Sequence, residues 1–366
     1  MARGSGGIAA GDARSSRRWQ GCACAALAAC VLSCAPKSSV EQGGPDGSQA
    51  RSPEQLRVEQ ADAERLFADI VVRHNARVGR LETFESRASL ELRYTDADGK
   101  HFDQCEADIF LASGGRGAVR ATKVGNNLLW VGSDGTRGWV FLLDKDPTSL
   151  IVHDRIDESI FSQSLDGRSA ADRTPGSEFM LLAPQSVRAL AGMRAVGSID
   201  GLGGTLRRVE GAAVDAPLHE RFELMYRPFT GVDVAMRFDA EALPTLVRVL
   251  DGAGRARFEA RLSEYEPAQA ANLAQGAWPK VPRRIEVDAR DAATGEVTSE
   301  VRIYLDAPVA MGRRMKPRLF VLEELTAQLR PDSVQHVFAA ENGQVGSGQN
   351  GDGPVGDAVG GPGGGA

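Results

Sequence analysis

The stretch FESRASLELRYTDADGKHFDQCEADIFL, residues 84–111, decides the fold of this chain. In residues 84–94 most even positions are apolar, whereas the odd positions are polar. Alternation with a period of two over more than ten residues is typical of a strand with one buried face. Asp96-Ala97-Asp98-Gly99 then supplies turn residues, and residues 105–111 repeat the alternation. The stretch therefore predicts two neighbouring antiparallel strands.

The same pattern continues to residue 154 and returns later in the chain. Further apolar runs at residues 118–124, 127–132, 138–143 and 149–152 are separated by turns rich in Gly, Asn, Asp and Pro. Short strands at this spacing predict a meander, and hence a strongly curved sheet or partial barrel. Strand patterns return between residues 234 and 305, and Phe320–Leu322 is predicted as a last edge strand before a short helix at Glu323–Leu329.

Two longer helices are predicted to cover this sheet. Ser52-Pro53 followed by Gln55 is typical of a capped helix start, and apolar residues recur at three- and four-residue intervals through to Gly79. A second helix is predicted at Pro184–Val196, within a helical insertion near residues 156–197. The predicted fold class is therefore mainly β with helical cover (α+β), in which a curved antiparallel sheet forms an unclosed half-barrel.

The N-terminal segment is predicted to be a lipoprotein-type signal peptide, residues 1–33. Arginines precede an apolar run, Gly21–Leu32, that is too short to span a bilayer. Val31-Leu32-Ser33-Cys34 resembles a bacterial lipobox, so Cys34 is the predicted lipidation site; Cys30 is the alternative, and an ordinary secretory signal is a second one. Because no aspartate follows either cysteine, the resemblance to bacterial lipoproteins implies the periplasmic face of the outer membrane rather than the inner membrane.

Composition sets the remaining boundaries. Residues 34–51 predict a flexible tether, residues 52–330 a single domain, and the Gly-rich residues 341–366 a disordered tail. The net charge is −6 and the sequence contains no basic stripe, so nucleic acid is not expected as a partner. We expect a monomer.

Catalytic and metal-binding motifs are not found in the sequence. The five histidines are scattered, no pair has a metal-ligand spacing, and Cys105 is the one cysteine of the predicted domain. Ser133 lies in a turn sequence, Gly132-Ser133-Asp134-Gly135, and not in a nucleophile elbow. We therefore predict no catalytic residue, no metal, no cofactor and no enzyme activity.

Three passages carry a family resemblance: residues 130–141 with an Asp-Gly turn between aromatic strands, residues 236–252 with Leu243-Pro244 and Asp251-Gly252, and the strand around residues 282–287. Through them, residues 52–322 resemble the superfamily of LolA/LolB-type lipoprotein carriers. The resemblance implies an unclosed antiparallel β-barrel covered by helices. The long segment 156–184 and the Gly-rich tail depart from the family pattern.

The resemblance implies a membrane-anchored envelope lipoprotein that binds an apolar or acyl-bearing ligand, for lipid or lipoprotein trafficking. Apolar side chains on the concave face of the sheet would accept acyl chains that water excludes. The predicted cavity lining is Phe84, Leu90, Leu92, Ile109, Leu111, Trp130, Phe141 and Phe258. Ordinary core packing is the alternative for each of these residues. The alternative function is a non-carrier interaction or sensor lipoprotein that docks a protein partner with the same fold.

Overall fold

The computed structural model describes residues 51–96, 99–144, 146–153, 177–197, 204–229, 231–291, 293–310 and 315–337. These residues lie in one compact unit, Arg51–Ala366. The predicted signal peptide, Cys30, Cys34 and the Gly-rich tail lie outside the described residues. So do residues 156–176 of the predicted insertion.

One sheet contains all fourteen described strands, in the order β14-β6-β5-β4-β3-β2-β1-β13-β12-β11-β10-β9-β8-β7. The strands are β1 Phe84–Asp96, β2 Gly99–Leu111, β3 Arg116–Lys123, β4 Asn126–Asp134, β5 Gly138–Leu142, β6 Ser149–His153, β7 Thr205–Arg208, β8 Phe222–Phe229, β9 Val232–Phe238, β10 Pro244–Leu250, β11 Ala256–Pro267, β12 Lys280–Arg290, β13 Val297–Ala310 and β14 Ser333–Val337. The two end strands, β14 and β7, do not pair with each other. The predicted fold class, mainly β with one large curved and unclosed antiparallel sheet, is confirmed.

Two meanders build this sheet. Strands β1 to β6 pair in sequence order, as do strands β7 to β13, and each consecutive pair is antiparallel. The meanders join where β1 pairs with β13, from Phe84↔Ala310 to Tyr94↔Ser299. The exception to antiparallel order is β14, which pairs with β6 in parallel.

The helices are α1 Pro53–Gly79, α2 Pro184–Leu190, α3 Leu218–Arg221 and α4 Leu322–Leu329. The capping box at the start of α1 is formed as predicted: Gln55 N donates to Ser52 Oγ, and Ser52 N donates to Gln55 Oε1. The second predicted helix ends earlier, at Leu190. The predicted edge strand at Phe320–Leu322 is wrong, because Pro317 opens a 3₁₀ helix that runs to Phe320 and leads into α4.

The two faces of the sheet bury two separate apolar clusters. We call the first the inner layer: it lies between the sheet and a cover made of α1 and residues 177–197. The second, here the outer layer, lies on the opposite face of β3 to β6 and is covered by Phe320, Leu322 and Leu325. Leu129 and Val131 belong to the inner layer and Trp130 to the outer one, as the alternation of side chains along a strand requires.

Ion pairs occupy the outer face of the second meander. Glu223 on β8 is buried and accepts from Arg207 at 2.6 Å and from Arg237 at 3.4 Å, while Arg261 pairs with Asp288 at 2.9 Å. Most of the arginines in these pairs are partly exposed, so each such pair contributes little to stability. This face is therefore hydrated, and the apolar surface of the second meander is directed to the inner layer.

Candidate functional site

The eight residues predicted to line a cavity fall into two groups. Six belong to the inner layer, and each is between 0% and 4% exposed: Phe84, Leu90, Leu92, Ile109, Leu111 and Phe258. The other two, Trp130 and Phe141, belong to the outer layer on the opposite face of the sheet. The structure therefore brings six of the eight together and places two elsewhere.

Trp130 and Phe141 help to form a small aromatic core beneath the C-terminal elements. They pack there with Trp139, whose indole lies against the backbone of Gly132. A Cβ atom at Gly132 would lie 2.3 Å from Trp139 Nε1, so glycine is required for this approach. In the structure these aromatic rings therefore contribute to the core that holds α4 on the sheet.

Apolar contacts hold the cover on the inner layer. Ala63, Phe67 and Ile70 of α1 lie in the inner layer, and the Phe67 ring meets the Phe238 ring of β9 edge to face, with centroids 6.3 Å apart. The α2 residues of the inner layer include Val187, Ala189 and Leu190. Helix α1 thus lies over the second meander.

Helix α2 is fixed against the first meander by close backbone packing. A Cβ at Gly117 on β3 would lie 2.5 Å from the Cβ of Pro184, the first residue of α2. Arg188 of α2 donates to the carbonyl oxygens of Leu81 and Glu82 at 3.0 and 3.1 Å. The cover therefore spans both meanders.

Polar side chains near the end of α1 join it to the segment that follows α2. Asn75 Nδ2 donates to Val196 O at 3.2 Å, and Val196 N donates to Asn75 Oδ1 at 2.8 Å. His74 Nε2 lies 2.9 Å from Arg194 O, an arrangement in which the ring nitrogen donates. The cover is thus held together by side chains that bond to backbone groups.

Arg77 completes this set of contacts, which we call the α1 clamp: His74, Asn75 and Arg77 with their backbone partners. Its guanidinium donates to Gly192 O at 2.5 Å and to Lys280 O at 2.9 Å, and one nitrogen lies 3.3 Å from His74 Nδ1. Burial lowers the pKa of Arg77. Burial, together with the neighbouring Arg77 charge, lowers the pKa of His74 to about 4, so the imidazole is neutral near pH 7.

A second buried polar group, Tyr226 on β8, lies in the inner layer itself. Its side chain is 4% exposed, and its hydroxyl has no hydrogen-bond partner among the described residues. Burial raises the pKa of the phenol to about 12, with a smaller opposing effect of Arg194. The hydroxyl is therefore a protonated donor in apolar surroundings.

Four pockets open at the surface among the described residues, and one of them is lined in part by Phe238 of the inner layer. Their volumes are about 320, 380, 470 and 560 Å³, and charged residues contribute to the lining of each. None of these four is lined by any of the six predicted residues that lie in the inner layer. Those six side chains are buried among the described residues, between 0% and 4% exposed.

The described residues contain neither a metal-binding cluster nor a membrane-spanning helix. Within them, no cluster of three or more His, Cys, Asp or Glu side chains is arranged to hold a metal ion. No helix among them has both the length and the apolar character needed to cross a membrane.

No family model matches the chain, and no curated protein matches it. Solved structures do: a LolA superfamily protein from Nitrosomonas europaea has 13% identity and a TM-score of 0.40, with 70% of this chain and 97% of the other covered. A DUF1329 family protein from Desulfovibrio piger has 11% identity and a TM-score of 0.37, with 70% and 96% covered. A domain from Vibrio parahaemolyticus, named for a proposed role in outer membrane lipoprotein sorting, has 12% identity and a TM-score of 0.39, with 68% and 95% covered.

Members of the superfamily that the sequence resembles are thus among the similar structures, as expected from the three sequence passages. The architecture of this chain rests on its own sheet order and layers.

Proposed function

We propose that this chain is a lipid-anchored protein of the bacterial envelope that binds an acyl-bearing ligand between its sheet and its cover. The observation that supports the proposal is the inner layer, a continuous apolar cluster between an unclosed sheet and a cover of α1 and residues 177–197. Acyl chains would replace side chains of the cover there, at about 25 cal/mol per Å² of apolar surface buried. The chain then acts as a carrier and not as an enzyme.

Ligand entry on this proposal requires α1 to move away from residues 177–197 and from the sheet, because the inner layer is buried beneath them. The α1 clamp opposes that movement: His74 and Asn75 bind the backbone of residues 194 and 196, and Arg77 binds Lys280 O on β12. Each such bond contributes about 0.5–1.5 kcal/mol. Single substitutions in the α1 clamp should therefore make the cover easier to open.

Replacing Asn75 by Ala is expected to speed uptake of a fluorescent fatty acid about tenfold. The substitution removes two hydrogen bonds to Val196, with a combined contribution of about 1–3 kcal/mol, and leaves the inner layer unchanged. Stopped-flow fluorescence of the probe measures the rate. Arg73→Ala, on the exposed side of α1, is the matched control and should leave the rate unchanged.

Equal rates for Asn75→Ala and the parent protein would show that ligand does not enter beneath this cover. A parent protein that takes up no probe at all would contradict the carrier function itself.

The anchor is proposed on sequence grounds, with Cys34 lipidated and the domain on the periplasmic face of the outer membrane. Two or three acyl chains give stable attachment, because each buried methylene contributes about 0.8 kcal/mol. Cys34→Ser is expected to move the protein from the membrane fraction to the soluble fraction, as measured by fractionation and immunoblotting. Cys30→Ser is the control. Release by Cys30→Ser and not by Cys34→Ser would assign the anchor to Cys30.

A second candidate function, docking of a protein partner, is favoured by a different observation. Phe102 is 56% exposed and Val124 is 96% exposed, although both are large apolar residues. They lie at the same end of neighbouring strands, since Lys123 Nζ binds Asp103 Oδ1 at 2.7 Å between them. Val124 lies in a turn, where its backbone has a positive φ of 52°. Failure of probe uptake would favour this interaction role.

A further inference from the structure

One hydroxyl group in the inner layer is not explained by the packing around it. The Tyr226 side chain is buried among apolar residues, and its hydroxyl pairs with no group in the described part of the chain. An unpaired hydroxyl in an apolar environment destabilises the folded state, whereas phenylalanine would fill nearly the same volume without that penalty. The hydroxyl therefore requires an explanation beyond the contacts of the described residues.

Two other polar aromatic groups at the inner layer are paired. The Tyr265 hydroxyl donates to Pro244 O, and Trp278 Nε1 donates to Leu273 O at 3.2 Å. Both side chains pack against the same apolar cluster as Tyr226. The contrast shows that phenol and indole groups at this layer can be satisfied by backbone carbonyls, and that Tyr226 is not.

The position of Tyr226 relates the hydroxyl to the cover. Arg194, whose backbone carbonyl is bound by His74 in the α1 clamp, is close enough to influence the phenol electrostatically. The Arg194 guanidinium donates to Pro228 O at 3.0 Å, two residues after Tyr226 along the chain. A hydrogen-bond donor with a positive charge nearby therefore lies where the inner layer meets the cover.

A donor and a cation at the edge of an apolar layer complement an oxygen acceptor at the end of a hydrocarbon chain. We propose that Tyr226 Oη donates a hydrogen bond to a carbonyl or carboxylate oxygen of an acyl-bearing ligand whose chain enters the inner layer. This inference rests on the proposed carrier function. It adds the residue that recognises the oxygen-bearing end of this ligand, which is either a free acid or an ester.

Tyr226→Phe in the full chain tests the proposal, because it removes the hydroxyl and opens no cavity. Three fluorescent probes separate the ligand classes: cis-parinaric acid, its methyl ester, and diphenylhexatriene, which has no oxygen. We expect the Kd of the acid and the ester to rise about tenfold, the loss of one hydrogen bond, and the Kd of diphenylhexatriene to stay the same. A rise confined to the acid would still support the proposal and would identify a carboxylate ligand.

Tyr265→Phe is the matched control, because it removes a hydroxyl that is already paired within the protein. We expect it to lower the urea midpoint of unfolding without changing the ratio of acid to hydrocarbon affinity. Tyr226→Phe should instead leave the urea midpoint unchanged or raise it. A lower midpoint for Tyr226→Phe would overturn the proposal, because it would reveal a partner for the hydroxyl in the unliganded protein.

The binding results distinguish this inference from the carrier function beneath it. If the parent binds all three probes and Tyr226→Phe changes no Kd, or weakens all three equally, the role of the hydroxyl is overturned and the carrier function stands. If the parent binds none of the three probes, both are overturned.

Discussion

Leu90→Ala is expected to lower the free energy of unfolding by about 2–5 kcal/mol, as measured by urea denaturation. Leu90 has no exposed surface and belongs to the inner layer, so truncation removes buried methylene groups and leaves a void that the neighbours fill only in part. Ile109→Ala, in the neighbouring strand β2 and 1% exposed, should lose a similar amount. These are large losses for a domain of ordinary stability.

Val124→Ala is the matched control, since its side chain is 96% exposed and it also loses apolar volume. It should change the free energy of unfolding by less than about 0.5 kcal/mol. A small loss at both Leu90 and Ile109 would show instead that these side chains line an open cavity, because truncation at the wall of such a cavity encloses no new void.

Lowering the pH from 8 to 5 is expected to reduce stability by about 2 kcal/mol through His74 alone. The pKa of this imidazole is about 4 in the folded protein and 6.5 in the unfolded chain, so between these values the unfolded chain binds more protons. The stabilising difference is fully present above pH 6.5 and is lost as the pH falls toward 4. Urea denaturation at each pH measures the decline, and the variant His74→Gln separates it from the carboxylates that begin to protonate near pH 5.

His74→Gln should remove most of this decline between pH 8 and pH 5, because the amide can still donate to Arg194 O and does not titrate. His336→Gln, on the exposed part of β14, is the control and should retain the decline of the parent. An undiminished decline in His74→Gln would assign the pH dependence to another group.

Local alternation made the first meander predictable from sequence. In β1 and β2 one face is buried and the other is polar, so a period of two appears directly in the residues, and the turns between strands contain Gly, Asn and Asp. The start of α1 was predictable for a similar reason, since a capping box is a local pattern.

The face of Trp130 and Phe141 could not be predicted in the same way. Strands β4 and β5 are buried on both faces over most of their length, so the sequence alternates between two apolar sets and gives no polar side as a reference. The sequence analysis assigns both rings to the concave face of the sheet, whereas they form the core beneath α4. For a strand buried on both faces, the face that each side chain occupies can be assigned only once the elements covering the sheet are known.

Three further features differ in how much of a signal the sequence contained. Strand β14 pairs with β6, which lies far away in sequence, and no turn signal connects them. The sequence carried a usable signal for the α1 clamp: His74 and Arg77 fall on the apolar stripe between Ile70 and Val78, where a polar residue is expected to be buried with a partner. Tyr226 had no such signal, because an alternating strand pattern does not show whether a hydroxyl is paired.

The junction of β1 with β13 has a consequence for how the chain folds. Each meander is made of contacts between neighbouring hairpins, which close short loops and form early. The partners Phe84 and Ala310, in contrast, come from the first and the last strand of the two meanders. A ribosome or an export channel releases β1 long before β13, so one edge of the first meander waits unpaired through most of synthesis. That edge is exposed to misassociation until residue 310 emerges, and any factor that escorts the chain has to protect it for that interval.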